Sequence, residues 1–378
     1  MIDRLLFDEI KHQCFQGKVI ILIGPRQVGK TTLIRKIQQS FDLPSHWLNA
    51  DEADVFGAFE AAKTSTALIQ LLGPSNRLVV IDEAQQIPDI GKKLKLVYDT
   101  FPDIQVIATG SSAFELLNQT NEPLTGRKRE YHLFPVSFQE MASHLGLKEE
   151  KRLLDTRLVF GSYPEIINNP GKERSALIEI AGSYLYKDIL RLDGIRKAAS
   201  LEKLLQALAL QVGHEVSYNE LANTIGNIDV ATVEKYLDLL EKAFVIFKLP
   251  ALSRNLRNEI KKGKKYYFYD NGIRNVLISN FNLPELRVDK GALWENYLLS
   301  ERLKYLNYHQ IHCNRFFWRT TDQAEIDYIE EYDGLLHAYE IKWKEGNVRF
   351  PHSFRQAYPH HQLNVVNRQN FERFLLPE

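Results

Sequence analysis

Cysteine is scarce: the 378 residues contain only Cys14 and Cys313, far apart in the chain and in no metal-ligand spacing. That excludes a disulfide framework and a thiolate-built zinc site, and it fits a reducing compartment. Long apolar runs are missing as well. No stretch reaches the roughly 20 residues a membrane-spanning helix needs. The opening MIDRLLFDEIKHQ alternates charged with apolar residues where a signal peptide would be continuously apolar. A soluble, cytoplasmic protein with no membrane partner is therefore expected. Neither sign of charge prevails: lysine plus arginine equals aspartate plus glutamate at 48 each, so any attraction to nucleic acid has to come from local basic patches. What is present is ordinary for a globular protein, 44% hydrophobic and 25% charged, over a length that calls for two or three packed domains.

The sharpest pattern is VIILI (19–23) followed at once by GPRQVGKTTLIRKIQQS. An apolar run, a glycine-bounded loop and an amphipathic stretch read as strand, loop and helix. Gly24 and Gly29 let the backbone curl so that Gly24, Pro25, Arg26, Gln27, Val28 and Gly29 surround a phosphate. Lys30 can reach the outer phosphates, Thr31 offers a hydroxyl to magnesium at the helix N-terminus, and Thr32 follows in the same turn. ATP and Mg²⁺ are the expected cofactors.

HWLNADE (46–52) is a plausible second strand, and RLVVIDEAQQIPD puts Leu78 to Ile81, an apolar run suited to a strand buried on both faces, directly before Asp82 and Glu83. Ligands of a parallel sheet gather at the carboxyl ends of its strands. Asp82 is thus expected in the magnesium shell, and Glu83 either polarises the water that attacks the γ-phosphate or caps the next helix. IQVIATGSS (104–112) ends another strand in Ser111 and Ser112, candidates to hold that water or to N-cap AFELLNQ. In LTGRKREYHLFPVSFQE, Arg127 precedes a fifth strand, as a catalytic finger for a neighbouring subunit or as part of a solvated basic turn.

Taken together, GPRQVGKTTL, IDEAQ, TGSSAFEL, LTGRKREYHLFPVSFQE, GSYPEI and YLYKDIL resemble a family of AAA-type ATPases, common in bacteria and archaea, whose C-terminal half is a domain of uncharacterised function. The likeness spans nearly the whole chain. It implies an α/β fold with an additional-strand P-loop core (1–136) and a helical lid (137–198). It also supports Arg127 acting in trans, which requires a homo-oligomer. Ser162 departs from the family, where members often carry a second glycine.

From residue 199 to 270 the helical stretches SLEKLLQALALQVG, SYNELANTIG and DVATVEKYLDLLEKAF precede two strand-like runs around a basic loop, the pattern of a winged helix-turn-helix. Arg254, Arg257, Lys261, Lys262, Lys264 and Lys265 face one acid, Glu259, so the wing suits DNA phosphates. Glu234, Lys235, Asp238 and Glu241 on the third helix suit base reading poorly, because acids repel the DNA backbone, and winged-helix folds also serve as protein-docking modules.

The last segment, 271–378, places acids where a sheet interior is expected. IHCNRFFWRT, AEIDYIEEY and LLHAYEIKW read as three strands, with Asp327 on the second and Glu340 and Lys342 sharing a face of the third. Glu295 lies on the preceding helix. The order Glu, Asp, then ExK is similar to the restriction-endonuclease-like superfamily, a mixed sheet flanked by helices. That resemblance implies a possible Mg²⁺ site at Glu295, Asp327, Glu340 and Lys342. Three functions follow: an ATPase coupled to DNA engagement, a Mg²⁺-dependent endonuclease gated by ATP, or a nucleotide-controlled protein-interaction switch.

Overall fold

The computed structural model describes residues 2–111, 120, 123–183, 198–226, 228–253 and 263–377. They fall into two compact units, Met1–Val136 with Lys242–Phe244, and Ser137–Glu241 with Val245–Glu378.

The first unit is built on a parallel sheet of β1 (Val19–Ile23), β2 (Ser45–Asn49), β3 (Leu78–Asp82), β4 (Gln105–Gly110) and β5 (Lys128–His132), in the order β2-β3-β4-β1-β5. Every residue of β1, β3 and β4 is buried, as continuous apolar runs require when helices cover both faces. Each valine, leucine or isoleucine among them contributes on the order of 2 kcal/mol of apolar burial. The half-exposed β2 and β5 take the edges. Because β4 is inserted between β1 and β3, the loop after β1, the end of β4 and the end of β3 lie side by side at one rim of the sheet. The additional-strand arrangement is therefore present.

In the second unit the helices Phe138–Leu145, Leu147–Arg152, Leu154–Phe160, Pro164–Asn168 and Glu173–Ala181 cluster with the C-terminal region. Helical periodicity leads to the expectation of a lid over residues 137–198, and buried polar hooks tie the helices described here to the C-terminal region. Glu301 accepts from the Phe138 amide at 2.6 Å, and the side chains of Asn271 and Asn275 donate to the Leu158 carbonyl at 3.3 and 3.0 Å. Asp270 accepts from the Ser162 amide at 2.8 Å and caps the helix Asn271–Leu277. This contact explains the GSYPE segment: a Cβ on Gly161 would lie 1.9 Å from an Asp270 carboxylate oxygen.

Next come the helices Ala198–Leu210, Tyr218–Ile225 and Val230–Lys242, with an antiparallel sheet of β6 (Glu215–Val216), β7 (Ile246–Pro250) and β8 (Lys264–Phe268) in the order β6-β8-β7. Strand β6 has no counterpart in the sequence reading. Of the six basic wing residues, Arg254, Arg257, Lys261 and Lys262 lie outside the described residues. Lys265 corrects the expectation of a phosphate contact, because it is 1% exposed and faces carboxylates.

The C-terminal part joins the helix Lys290–Tyr308, the antiparallel strands β9 (Asn314–Arg319), β10 (Glu325–Tyr332) and β11 (Leu335–Ile341), the helix His352–Ala357 and β12 (His361–Val366), which pairs in parallel with β11. Asp333 and Gly334, at φ 52° and 74°, make the two-residue turn between β10 and β11. The pairing of β9 with β10 slips between Ile326 and Ile329, a bulge that straddles Asp327.

Candidate functional site

The phosphate loop is held open from below and behind. Gly24 passes so close to the β5 exit that a Cβ there would lie 2.0 Å from the Leu133 carbonyl oxygen. Gly29, at φ 95°, turns the chain into the helix Lys30–Gln39. Arg4 braces the loop by donating to the carbonyls of Val28 and Phe134, both at 2.6 Å. No sequence motif pointed to that arginine. Of the predicted loop residues, Pro25 and Val28 are buried, Arg26 is half-buried, and Gln27 and Thr32 are exposed. Lys30 is buried, and its ammonium donates to the carbonyls of Gly24 and Pro25 at 2.8 and 2.9 Å.

The end of β3 meets this loop. The Thr31 hydroxyl donates to one Asp82 oxygen at 3.0 Å, and the Thr109 hydroxyl from β4 donates to the other. A hydroxyl and a carboxylate beside a lysine, at the positive end of a helix, form a donor set that fits a magnesium-bound polyphosphate. Glu83 takes φ 50°, a left-handed conformation rare for a residue with a side chain. Its carboxylate makes no capping bond to the short helix Ala84–Gln86. Instead it accepts from Ser111 at 3.0 Å and from the Gln85 amide at 2.5 Å. Ser111 thus turns toward Glu83, whereas Ser112 and the helix it was expected to cap lie outside the described residues. Burial raises the Asp51 carboxyl above its ordinary range, and Glu83 adds to this against the opposing pull of Arg26. Asp51, Gln85 and Thr109 were missed in the sequence, although each lies within three residues of a strand end.

Arg127 is not part of this cluster. The Val19 amide donates to its carbonyl, which puts Arg127 at the amino ends of β1 and β5, opposite the rim that bears the loop. Its guanidinium pairs with Asp99 at 2.8 Å and lies 5.9 Å from the Tyr98 ring centre.

A second cluster occupies a cavity of about 410 Å³ in the other unit, lined by Glu295, Glu325, Asp327, Glu340, Lys342 and Lys265, among others. All four residues predicted for a nuclease-like site are there. The Lys342 ammonium contacts Glu340 at 2.6 Å and Asp327 at 3.4 Å, while Asp327 also accepts from the Ile341 amide at 2.8 Å. Lys265 pairs with Glu325 and lies 3.7 Å from Glu295, which accepts from the Tyr267 hydroxyl at 2.5 Å. Burial pushes the Glu295 carboxyl up to about 7, with Lys265 opposing and Asp327 adding. Burial followed by Asp327 pushes Glu340 up to about 7, against Lys342.

Among the described residues no three carboxylate, imidazole or thiol groups converge closely enough to hold a metal. Lys265 and Lys342 stand among the carboxylates instead. The donor chemistry still suits a cation: Glu295, Glu325, Asp327 and Glu340 line one cavity, where Lys265, Lys342 and, at 3.8 Å from Glu325, Arg319 already face them. Lys265 and Tyr267 were missed because KKYYF reads as part of a basic wing. Strand alternation would have put both on one face. Beside this cavity and sharing Glu325, Glu340 and Lys342 with it, a trough of about 850 Å³ is lined by Lys290, Trp343, Lys344 and Arg349.

With this geometry in view, the comparisons with known proteins divide along the chain. Residues 16–142 match the family model described as an AAA domain. Residues 151–284 and 290–375 match models described as domains of unknown function. An uncharacterized protein of Mycobacterium tuberculosis (strain ATCC 25618 / H37Rv) is 27% identical, with 88% of this chain and 72% of that protein covered. One of Haemophilus influenzae (strain ATCC 51907 / DSM 11121 / KW20 / Rd) is 28% identical over 74% of this chain and 71% of that one. Among solved structures, the Walker-type ATPase PABY2304 of Pyrococcus abyssi is similar in fold, with a TM-score of 0.51 and 17% identity over 74% of this chain and 96% of that one. No helix among the described residues is long and apolar enough to cross a membrane.

Proposed function

We propose that the protein binds and hydrolyses ATP with Mg²⁺ at the phosphate loop and couples its nucleotide state to the engagement of DNA. The observation that carries the reading is the adjoining pair of carboxylates at the end of β3. Asp82 is bonded to Thr31, and Glu83 is held by Ser111 and Gln85. Lys30 would leave its carbonyl seats for the outer phosphates, Thr31 and Asp82 would hold Mg²⁺, and Glu83 would orient the attacking water. Magnesium supplies charge neutralisation of the phosphates when bound. Arg127 would act on a neighbouring subunit's nucleotide, in a homo-oligomer.

DNA engagement is supported by the three helices and three-stranded antiparallel sheet between Ala198 and Phe268, consistent with a winged helix, and by the basic trough of Lys290, Lys344 and Arg349. A second reading, a Mg²⁺-dependent endonuclease gated by ATP, is favoured by the convergence of Glu295, Asp327, Glu340 and Lys342 in one cavity. The order helix, three antiparallel strands, helix and parallel strand also suits a restriction-endonuclease-like domain.

One set of assays tests both. Glu83→Gln is expected to bind ATP as the wild type does and to lose about 100-fold or more in turnover. Lys342→Ala is expected to keep ATPase activity and lose any Mg²⁺- or Mn²⁺-dependent DNA cleavage. Undiminished turnover in Glu83→Gln removes the role given to that residue. Absence of cleavage in every nucleotide state removes the endonuclease reading, and absence of DNA binding even at low salt favours a protein-docking switch.

A further inference from the structure

Lys265 is an anomaly by composition. It sits in β8 between Lys264 and Tyr266, its residue is 1% exposed, and its ammonium lies 5.1 Å from the Phe317 ring centre. A buried ammonium persists only with carboxylate partners. Those partners are Glu325, in direct contact, and Glu295 at 3.7 Å, and Asp327 lies near enough to act on it. Both contacts line the acid cavity, and Asp327 does too. Lys342, the lysine the sequence motif supplies, is different: its side chain is 42% exposed, and it bonds Glu340 and Asp327 from the other side. One lysine at the mouth and one in the wall therefore share four carboxylates.

We propose that the Lys265 ammonium is a tethered occupant of this cation site and that a divalent cation enters only by displacing it from Glu295 and Glu325. This rests on the reading that Glu295, Asp327 and Glu340 receive a divalent cation, and it adds what regulates that step. Two cationic groups compete for one set of carboxylates, so binding of the free ion and pairing of Lys265 oppose each other by the same factor. The chain carries its own inhibitor of metal loading.

The test uses the full chain without nucleotide and Mn²⁺ as the probe, with free Mn²⁺ read by electron paramagnetic resonance. Binding at this site is the part that Glu340→Gln removes, which separates it from ions held at the phosphate loop. Lys265→Met is expected to bind Mn²⁺ there about tenfold more tightly than the wild type, and Lys265→Arg to stay near the wild type. Equal or weaker binding in Lys265→Met, with Glu340-dependent binding intact in the wild type, overturns the inference and leaves the metal reading standing. No Glu340-dependent binding in any of these proteins overturns the metal reading, and the inference with it. A wild-type measurement avoids any effect of the substitution on folding. Saturating Mn²⁺ is expected to raise acylation of Lys265 severalfold, followed by mass spectrometry, and unchanged labelling overturns the displacement.

Discussion

A single hydrogen atom decides the phosphate loop at Gly24. The motif demands glycine for curvature, but the structure adds a closer reason, the Leu133 carbonyl that any Cβ would strike. Gly24→Ala is therefore expected to abolish nucleotide binding in calorimetric titration and to cost about 1–3 kcal/mol in urea unfolding. Normal ATP affinity in the variant would contradict the packing. At the acid cavity the decisive property is protonation. Glu295 and Glu340 hold protons up to about 7 in the folded chain, against 4.5 for the ordinary carboxyl. Their folded values are raised, so the stability they contribute is fully present below about 4.5 and is lost as pH rises through 7. The melting temperature without metal should be roughly 2–4 °C lower at pH 7.5 than at pH 5.5. The double variant Glu295→Gln, Glu340→Gln should flatten that slope. A wild-type slope of the opposite sign would refute the assignment.

The helix Lys290–Tyr308 organises the second unit. Its buried residues lie on nearly every side, so its sequence shows weak amphipathicity even though it is the longest helix described. Glu295 on one turn faces the acid cavity, Asn296 bonds both the amide and the carbonyl of Phe268, and Arg302 grips Glu330 through two bonds of 2.8 Å. Glu330 on β10 is fully buried, so Arg302 joins helix and sheet through a desolvated pair. Arg302→Met should lower unfolding free energy by about 3–5 kcal/mol, because an uncompensated carboxylate remains. Adding Glu330→Leu should recover most of the loss, read as the shift in urea midpoint. Recovery failing in the double variant would assign the cost to packing. The helix itself was legible from the sequence, and so was Glu295 on it. Its polar anchors were not, since an arginine reads the same whether it faces water or a buried glutamate.

At the scale of the whole molecule, Arg127 is the residue whose proposed role requires more than one chain. It sits at the rim opposite the phosphate loop of its own unit, paired with Asp99. If it serves a neighbour, specific ATPase activity should rise with protein concentration, and Arg127→Ala should lose it. Mixing Arg127→Ala with Glu83→Gln should restore part of the activity, because each supplies the group the other lacks. A mixture as inactive as its components would remove the trans assignment.

By itself the sequence determined the phosphate loop, the acids at the end of β3 and the four residues of the acid cavity. Each was marked by local spacing, a glycine-bounded turn, an apolar run ending in carboxylates, or alternation along a strand. Only the tertiary structure decided which distant groups meet them: Arg4 on the loop, Thr109 on Asp82, Lys265 on Glu295 and Glu325, and the helices after residue 137 on the C-terminal region. Periodicity and spacing record what neighbours in sequence do to one another. A buried charge, by contrast, takes whichever partner the packed chain brings within reach, and no local pattern encodes that choice.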